Sequence, residues 1–303
     1  MRYQIQRAIL GSMCAFFLSG LFAANAAADG ITNAEAGNSA LDGSFKGSGA
    51  DTGSANGSAV YSASGTSTAT DGSASQTWSA FASASATDLK ASASSTITCS
   101  TNCADYTIPG NNPSRTGGDA WFDSELTVVP GSKVVSLHFV FSVDGTIAST
   151  GSLTGSAQLV GLTCGIGGGF CYAPEPSTRD LVNLGSGSDT VTLNMKPWAY
   201  GQPFNVEFVL FAEIDDYNID ANGNYYLGGP GSASVNFADT AKLVAIQAVD
   251  ANGNVVKDGT VIYDDNGISL PGTVAVPEPA TLGSIGVGLA LLAASARKKK
   301  RLS

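Results

Sequence analysis

Between Ser44 and Thr98 small residues alternate with a period of two, as in Ser79-Ala80-Phe81-Ala82-Ser83-Ala84-Ser85-Ala86 and Ala91-Ser92-Ala93-Ser94. In an extended chain successive side chains point to opposite faces, so this order puts alanine on one face and serine on the other. A helix of 3.6 residues per turn would mix the two around its surface. Composition alone would make such a Ser/Gly-rich stretch flexible. The alternation instead predicts strands of low stability after about residue 50, anchored by Trp78, Phe81 and Leu89. Residues 29–50 lack that support and are expected to be a flexible segment.

The middle of the chain carries stronger strands. Val135, Leu137, Phe139, Phe141 and Val143 share one face, with Ser136, His138 and Ser142 on the other. Asp144-Gly145 then reads as a turn. Val191, Leu193 and Met195 make a second apolar face. Residues 205–214 make a third, with Val206, Phe208, Leu210 and Ile214 inward and Glu207 and Glu213 outward as solvated residues. Shorter strands are expected at 233–237, 242–249, 255–257 and 260–263. No segment of the body repeats at 3.6 residues over three turns. Many short strands separated by Gly, Asn and Asp turns predict an all-β body, a β-sandwich or jelly roll over residues 51–275.

The two ends differ in kind from this body. At the N-terminus Arg2 and Arg7 precede an apolar run from Ile9 to Phe22 and small residues up to Ala28. That order is a signal peptide, residues 1–28, for signal peptidase. Cys14 follows Gly11-Ser12-Met13, a poor match to a lipid-attachment site. At the C-terminus Pro277-Glu278-Pro279 precedes an uncharged apolar run from Ala280 to Ala296, then Arg297-Lys298-Lys299-Lys300-Arg301. Seventeen helical residues reach about 25 Å, enough to span a thin bilayer core as one transmembrane helix. The cations hold their side in the cytoplasm, which leaves the body outside. The prolines keep the preceding chain out of the helix.

This order of motif, span and basic stop resembles the PEP-CTERM sorting signal of Gram-negative exported proteins, here over residues 276–303. The resemblance implies recognition and cutting by an exosortase-type enzyme, with Pro277, Glu278 and Pro279 as substrate. It implies transient anchoring in the inner membrane and delivery to the cell surface or beyond. A structural or binding role in the envelope or exopolysaccharide matrix of a biofilm follows from the same association. An internal Pro174-Glu175-Pro176 is followed by Ser177-Thr178-Arg179-Asp180 and not by a span, so the tripeptide alone is no signal. Residues 237–270 and 120–128 also resemble strands of β-sandwich bodies in that family.

Charge narrows the partners. Seven of the 15 Lys and Arg lie in the two ends, while all 25 Asp and Glu lie between residues 29 and 278, so the body carries 8 cations against 25 acids, a net −17. Such a surface repels phosphate backbones, so nucleic acid is not an expected partner. Four body cysteines, Cys99, Cys103, Cys164 and Cys171, are expected as two local disulfides in an exported chain, with cross-pairing as the alternative. Their C-x3-C and C-x6-C spacings do not suit a zinc knuckle.

Catalytic signals are sparse. His138 is the sole histidine, without a nucleophile elbow. Gly165–Gly169 lacks the Lys-Ser/Thr ending of a phosphate loop. Glu207 and Glu213 stand six residues apart on one strand, about 20 Å, too far for a glycosidase pair. Trp198, Tyr200, Tyr217, Tyr225 and Tyr226 are candidates for stacking on sugars. Asp220-Ala221-Asn222-Gly223-Asn224 recurs as Asp250-Ala251-Asn252-Gly253-Asn254, an Asn-Gly turn whose Asp-x-Asn-x-Asn order also opens calcium loops. Neither copy has the twelfth-position glutamate, so a calcium site would draw on Asp215, Asp216 and Asp220. No enzyme activity and no cofactor beyond calcium are expected. The alternatives are a carbohydrate-active hydrolase with a carboxylate pair, and a calcium-dependent adhesin.

Overall fold

The computed structural model describes residues 32–256, apart from 40, 42–43, 52–57, 86, 101–102, 105, 110–113, 131, 166–176 and 182–187, together with 261–263 and 274–275. The expected signal peptide and transmembrane segment, and the sorting tail, lie outside the described residues. The described residues form sixteen strands, in order. β1 (Thr32–Ser39), β2 (Phe45–Asp51), β3 (Ala59–Thr68), β4 (Ala74–Ala84), β5 (Asp88–Cys99) and β6 (Arg115–Val128) come first. β7 (Ser136–Gly151), β8 (Thr154–Gly165), β9 (Ser177–Asp180), β10 (Ser188–Met195) and β11 (Pro203–Asp215) form the middle. β12 (Asn218–Ile219), β13 (Tyr225–Tyr226), β14 (Gly231–Val249), β15 (Val261–Tyr263) and β16 (Val274–Ala275) complete the chain.

Two sheets pack face to face. One runs β9-β8-β11-β6, continued beyond β6 by β1 and β2 along its first part and by β15 and β16 along its last. The other runs β10-β7-β14-β5-β4-β3. All pairings are antiparallel except β15 with β16. The body is therefore all-β, as the alternating faces predict.

The space between the sheets is filled unequally. At its centre Phe208 of β11 meets Phe122, Phe139 and Phe141 at ring-centroid distances of 5.2, 4.8 and 5.2 Å. Toward β3–β5 the inward residues are Ala80, Ala82, Ala91 and Ala93, against Ala34, Ala36 and Gly118 of β1 and β6. A Cβ on Gly118 would stand 2.2 Å from the Phe81 carbonyl oxygen of the opposite sheet. Small side chains let two backbones meet there, well inside the usual spacing of about 10 Å between sheets.

Three expectations are corrected. Residues 32–39 and 45–51 of the expected flexible segment are the paired strands β1 and β2, with β1 registered against β6 along its whole length. β1 has no bulky side chain of its own, and its order comes from its partners: Ala34 and Ala36 are buried, and Asn38 donates from Nδ2 to Thr116 Oγ1 at 2.8 Å. Asp144-Gly145 is not a turn but the interior of β7. A Cβ on Gly145 would stand 2.2 Å from the Phe237 ring, so glycine is there to admit an aromatic from β14. The strands expected at 233–237 and 242–249 are one strand, β14, with a bulge opposite Gly145, where Asn236 pairs Thr146 and Thr240 pairs Asp144.

Candidate functional site

The outer face of the six-stranded sheet is paved with hydroxyls. β3 presents Ser62, Ser64, Thr66 and Thr68; β4 presents Ser75, Thr77 and Ser79; β5 presents Ser92, Ser94, Thr96 and Thr98. The register lines them up across strands. Thr66, Thr77, Thr96, Ser232 and Thr150 form one row over five strands. Ser64, Ser79, Ser94, Ser234 and Ala148 form the next. Strand spacing sets about 4.8 Å between members of a row and about 6.7 Å between rows. Neighbours hydrogen-bond across strands, Ser75 with Thr98 at 2.8 Å, Ser79 with Ser94 at 2.7 Å and Thr150 with Ser232 at 2.9 Å. A shallow depression of about 260 Å³ lies among Ser94, Thr96, Thr150, Ser232 and Ser234. Each hydroxyl both donates and accepts, so the face can match a polymer with repeating hydroxyls. The sequence predicts serine outward on each strand. It does not give the strand order that turns separate strands into one grid.

The outer face of the other sheet is acidic. Asp123 and Glu207 stand directly opposite on β6 and β11. Burial first, and then the Asp123 charge, push Glu207 up to about 7. Near the far end of the same face, Arg115 donates from Nε to Asp215 at 3.0 Å and lies 3.1 Å from Glu213. Its Nη2 donates to Tyr217 at 2.6 Å. Burial lifts Glu213 to about 7, with Asp215 adding to the rise and Arg115 opposing it. Asp119 is raised well above the ordinary range by burial, then by Glu213 and Glu35. Glu207 and Glu213 point outward as the alternation predicts but are not fully solvated, since Glu207 is half-buried and Glu213 buried on the surface of the sheet.

A sign follows for stability. Glu213 and Glu207 have folded values above the ordinary 4.5, so the folded state holds protons that the unfolded chain releases. Their contribution is fully present below about 4.5 and is lost as pH rises through about 7. Unfolding free energy measured by urea titration is expected to fall across that window, and Glu213→Gln to flatten the slope. A rise in stability across the window, or an unchanged slope in the variant, contradicts the assignment.

The three acids expected at a calcium site diverge. Asp215 serves Arg115 on the outer face. Asp216, the next residue, points inward, is 2% exposed, and accepts hydrogen bonds from Gln76 and from Ser95 at 3.2 Å. Asp220 caps its own turn, accepting from the amides of Asn222 at 2.7 Å and Asn224 at 2.9 Å. Asp250 does the same for Asn252 and Asn254, and Gly223 and Gly253 take φ of 86° and 82°. The repeat is a turn motif in both copies. Among the described residues no group of three His, Cys, Asp or Glu side chains is placed to hold a metal ion.

The remaining candidates separate by position. Cys99 and Cys103 are joined at the end of β5. Cys164 is disulfide-bonded as well, and Cys171 lies outside the described residues. His138 sits half-buried on the outer face of β7, opposite Asn194 and Gln247. Tyr217 and Tyr225 pack edge to face at 5.0 Å, and Tyr226 is half-buried beside them on β13. Trp198 and Tyr200 are exposed. Pro277, Glu278, Pro279 and the cations Arg297 to Arg301 lie outside the described residues, as does Pro174-Glu175-Pro176.

No curated protein matches the chain. Among solved structures, Clostridium perfringens delta-toxin aligns at 11% identity over 63% of this chain and 78% of the toxin, with a TM-score of 0.15, too low to support any inference. Among the described residues no helix is long and apolar enough to cross a membrane. The tail is specific where the body is not: residues 275–299 match the PEP-CTERM protein-sorting motif, which implies an exported, membrane-transiting protein handled by exosortase-type machinery.

Proposed function

We propose that the body is a non-catalytic structural or binding module of the envelope or exopolysaccharide matrix, delivered to the cell surface or beyond by the sorting tail. The observation that carries this reading is the hydroxyl grid on β3, β4, β5, β14 and β7. A flat, neutral face with regular rows of donors and acceptors suits a long glycan better than a small substrate, which needs a concave site. On a glycan array the body is expected to bind polymeric ligands without turnover. Thr96→Lys, at the centre of the grid, is expected to abolish that binding while changing stability by less than about 0.5 kcal/mol. Undiminished binding by the variant overturns the assignment of the face.

For the tail, the reading has exosortase cutting near Pro277–Pro279 after the span has held the protein in the inner membrane. Mass spectrometry of the mature C-terminus is expected to show a chain ending near that motif. An intact tail reaching Ser303 in normally growing cells contradicts processing.

A second reading has one specific observation behind it. Asp123 and Glu207 are a directly opposed carboxylate pair, and facing Cβ atoms on neighbouring antiparallel strands stand about 5 Å apart. A raised acid beside a second carboxylate is the arrangement of a retaining glycosidase. Reducing-sugar release that disappears in Glu207→Gln would favour this hydrolase over the binding module.

A further inference from the structure

Among the described residues, four of the seven exposed large apolar side chains gather at one end of the sandwich: Val135 (44%), Trp198 (47%), Tyr200 (46%) and Val255 (50%). This is the end where β6 finishes at Val128 and β7 begins at Ser136. The patch is held in place by hydrogen bonds. Tyr200 Oη donates to the Val134 carbonyl at 2.8 Å, and Gly201 N to the Val128 carbonyl at 2.7 Å. Val135 N donates to the Val249 carbonyl at 2.8 Å, and Val249 bridges to Val255. The Trp198 indole lies against Gly165, where a Cβ would stand 3.0 Å from Nε1.

Charge and chain path single out the same end. Lys133 and Lys196, two of the body's eight cations, are exposed there, with Asp250 beside Lys133. The last described strand lies near the same end. β15 starts opposite Val128, and Ala275 of β16 pairs Tyr263, which itself pairs Leu126, so Ala275 stands two residues in from that end with β16 running away from it. Five chain steps lead from Ala275 to Ala280, where the apolar run starts, and fully extended they reach at most about 18 Å. The opposite end of β6, at Arg115, is about 37 Å from the Leu126 level at strand rise. The tether is therefore too short for the apolar run to start at the opposite end, and the aromatic, basic end is the nearer one.

We infer that the Val135–Trp198–Tyr200–Val255 end, rimmed by Lys133 and Lys196, is a docking surface for the phospholipid headgroup region while the tail still anchors the protein. Trp and Tyr favour that interface because one part of the ring system is apolar and another hydrogen-bonds. Each lysine adds attraction to anionic lipid. This inference rests on the reading of residues 280–296 as a membrane span. Contact of this end with lipid would fix the body's orientation, and so where the motif sits for the sorting enzyme.

The test uses the full chain reconstituted into vesicles of bromine-labelled phosphatidylcholine with phosphatidylglycerol at three to one. Tryptophan quenching is expected in the wild type and lost in Trp198→Phe, because Trp78 is buried and Trp121 lies mid-strand on β6. The Lys133→Glu, Lys196→Glu double variant is expected to lose quenching in these vesicles more than in phosphatidylcholine alone. Equal quenching in wild type and Trp198→Phe overturns the surface. So does its absence from both while the chain resists alkaline extraction, whether or not Trp198 then proves to hold a glycan. Release of the chain by alkali overturns the span itself, and the docking surface with it.

Discussion

Phe208→Ala is expected to lower the unfolding free energy by about 3–5 kcal/mol, the upper range for a buried aromatic truncated in a core. The ring is fully buried and is the one that touches Phe122, Phe139 and Phe141, so it joins β6 and β11 to β7 of the other sheet. The cavity has little means of closing. Phe208 pairs Gly161 on β8, and a Cβ on Gly161 would stand 2.8 Å from Met195 sulfur, so that side is already full. Three large rings held by two sheets cannot all move inward, and the lost contacts stay lost. Urea denaturation followed by far-UV circular dichroism would measure it. A loss below about 1 kcal/mol would mean that the sheets collapse around the vacancy.

Gly118→Ala is expected to cost about 3 kcal/mol or more, at or beyond the upper end for overpacking, although it adds one methyl group. The new carbon would stand 2.2 Å from the Phe81 carbonyl oxygen and 3.1 Å from that of Ser92. Both obstacles are backbone in the opposite sheet, so relief requires the sheets to separate and not a side chain to turn. The neighbouring Gly117 is the control. It faces the other way, and a Cβ there meets only the Ala212 carbonyl at 3.4 Å, an ordinary contact. Gly117→Ala is expected to be neutral or slightly stabilising, since alanine has less backbone freedom to lose. Melting temperatures of the two variants side by side decide the matter. Equal effects would show that the close approach of the sheets is not what holds glycine at 118.

Several features were legible because they are local. The Ala/Ser alternation fixes which face of β4 and β5 turns inward whatever the sheet contains. The paired Asp-Ala-Asn-Gly-Asn turns close on their own side chains and need no distant partner. The Cys99–Cys103 bond lies within five residues. Other features depended on distant residues and read wrongly or not at all. Gly145 has the same local sequence whether it turns the chain or makes room for Phe237. Nothing within residues 29–50 announces a strand, because the apolar surface that orders β1 belongs to β6 and β4. Asp215 and Asp216 are adjacent letters, yet strand pleating sends one to Arg115 and the other into a buried network with Gln76 and Ser95. Glu207 looks solvated by alternation alone, yet it is half-buried on its sheet, and burial raises it before the Asp123 charge does.

By itself the sequence determined the fold class, the parity of each strong strand and the sorting label, since each is written in residues close along the chain. The tertiary structure alone decided strand order, and with it what each surface is. Register brought hydroxyls from five strands into one grid, set Asp123 against Glu207, and brought Trp198 and Tyr200 to the end nearest the last described strand. The physical reason is range: periodicity and turn chemistry act over a few residues, whereas a surface is assembled from strands as far apart in sequence as β5 and β14, where Ile97 pairs Gly231.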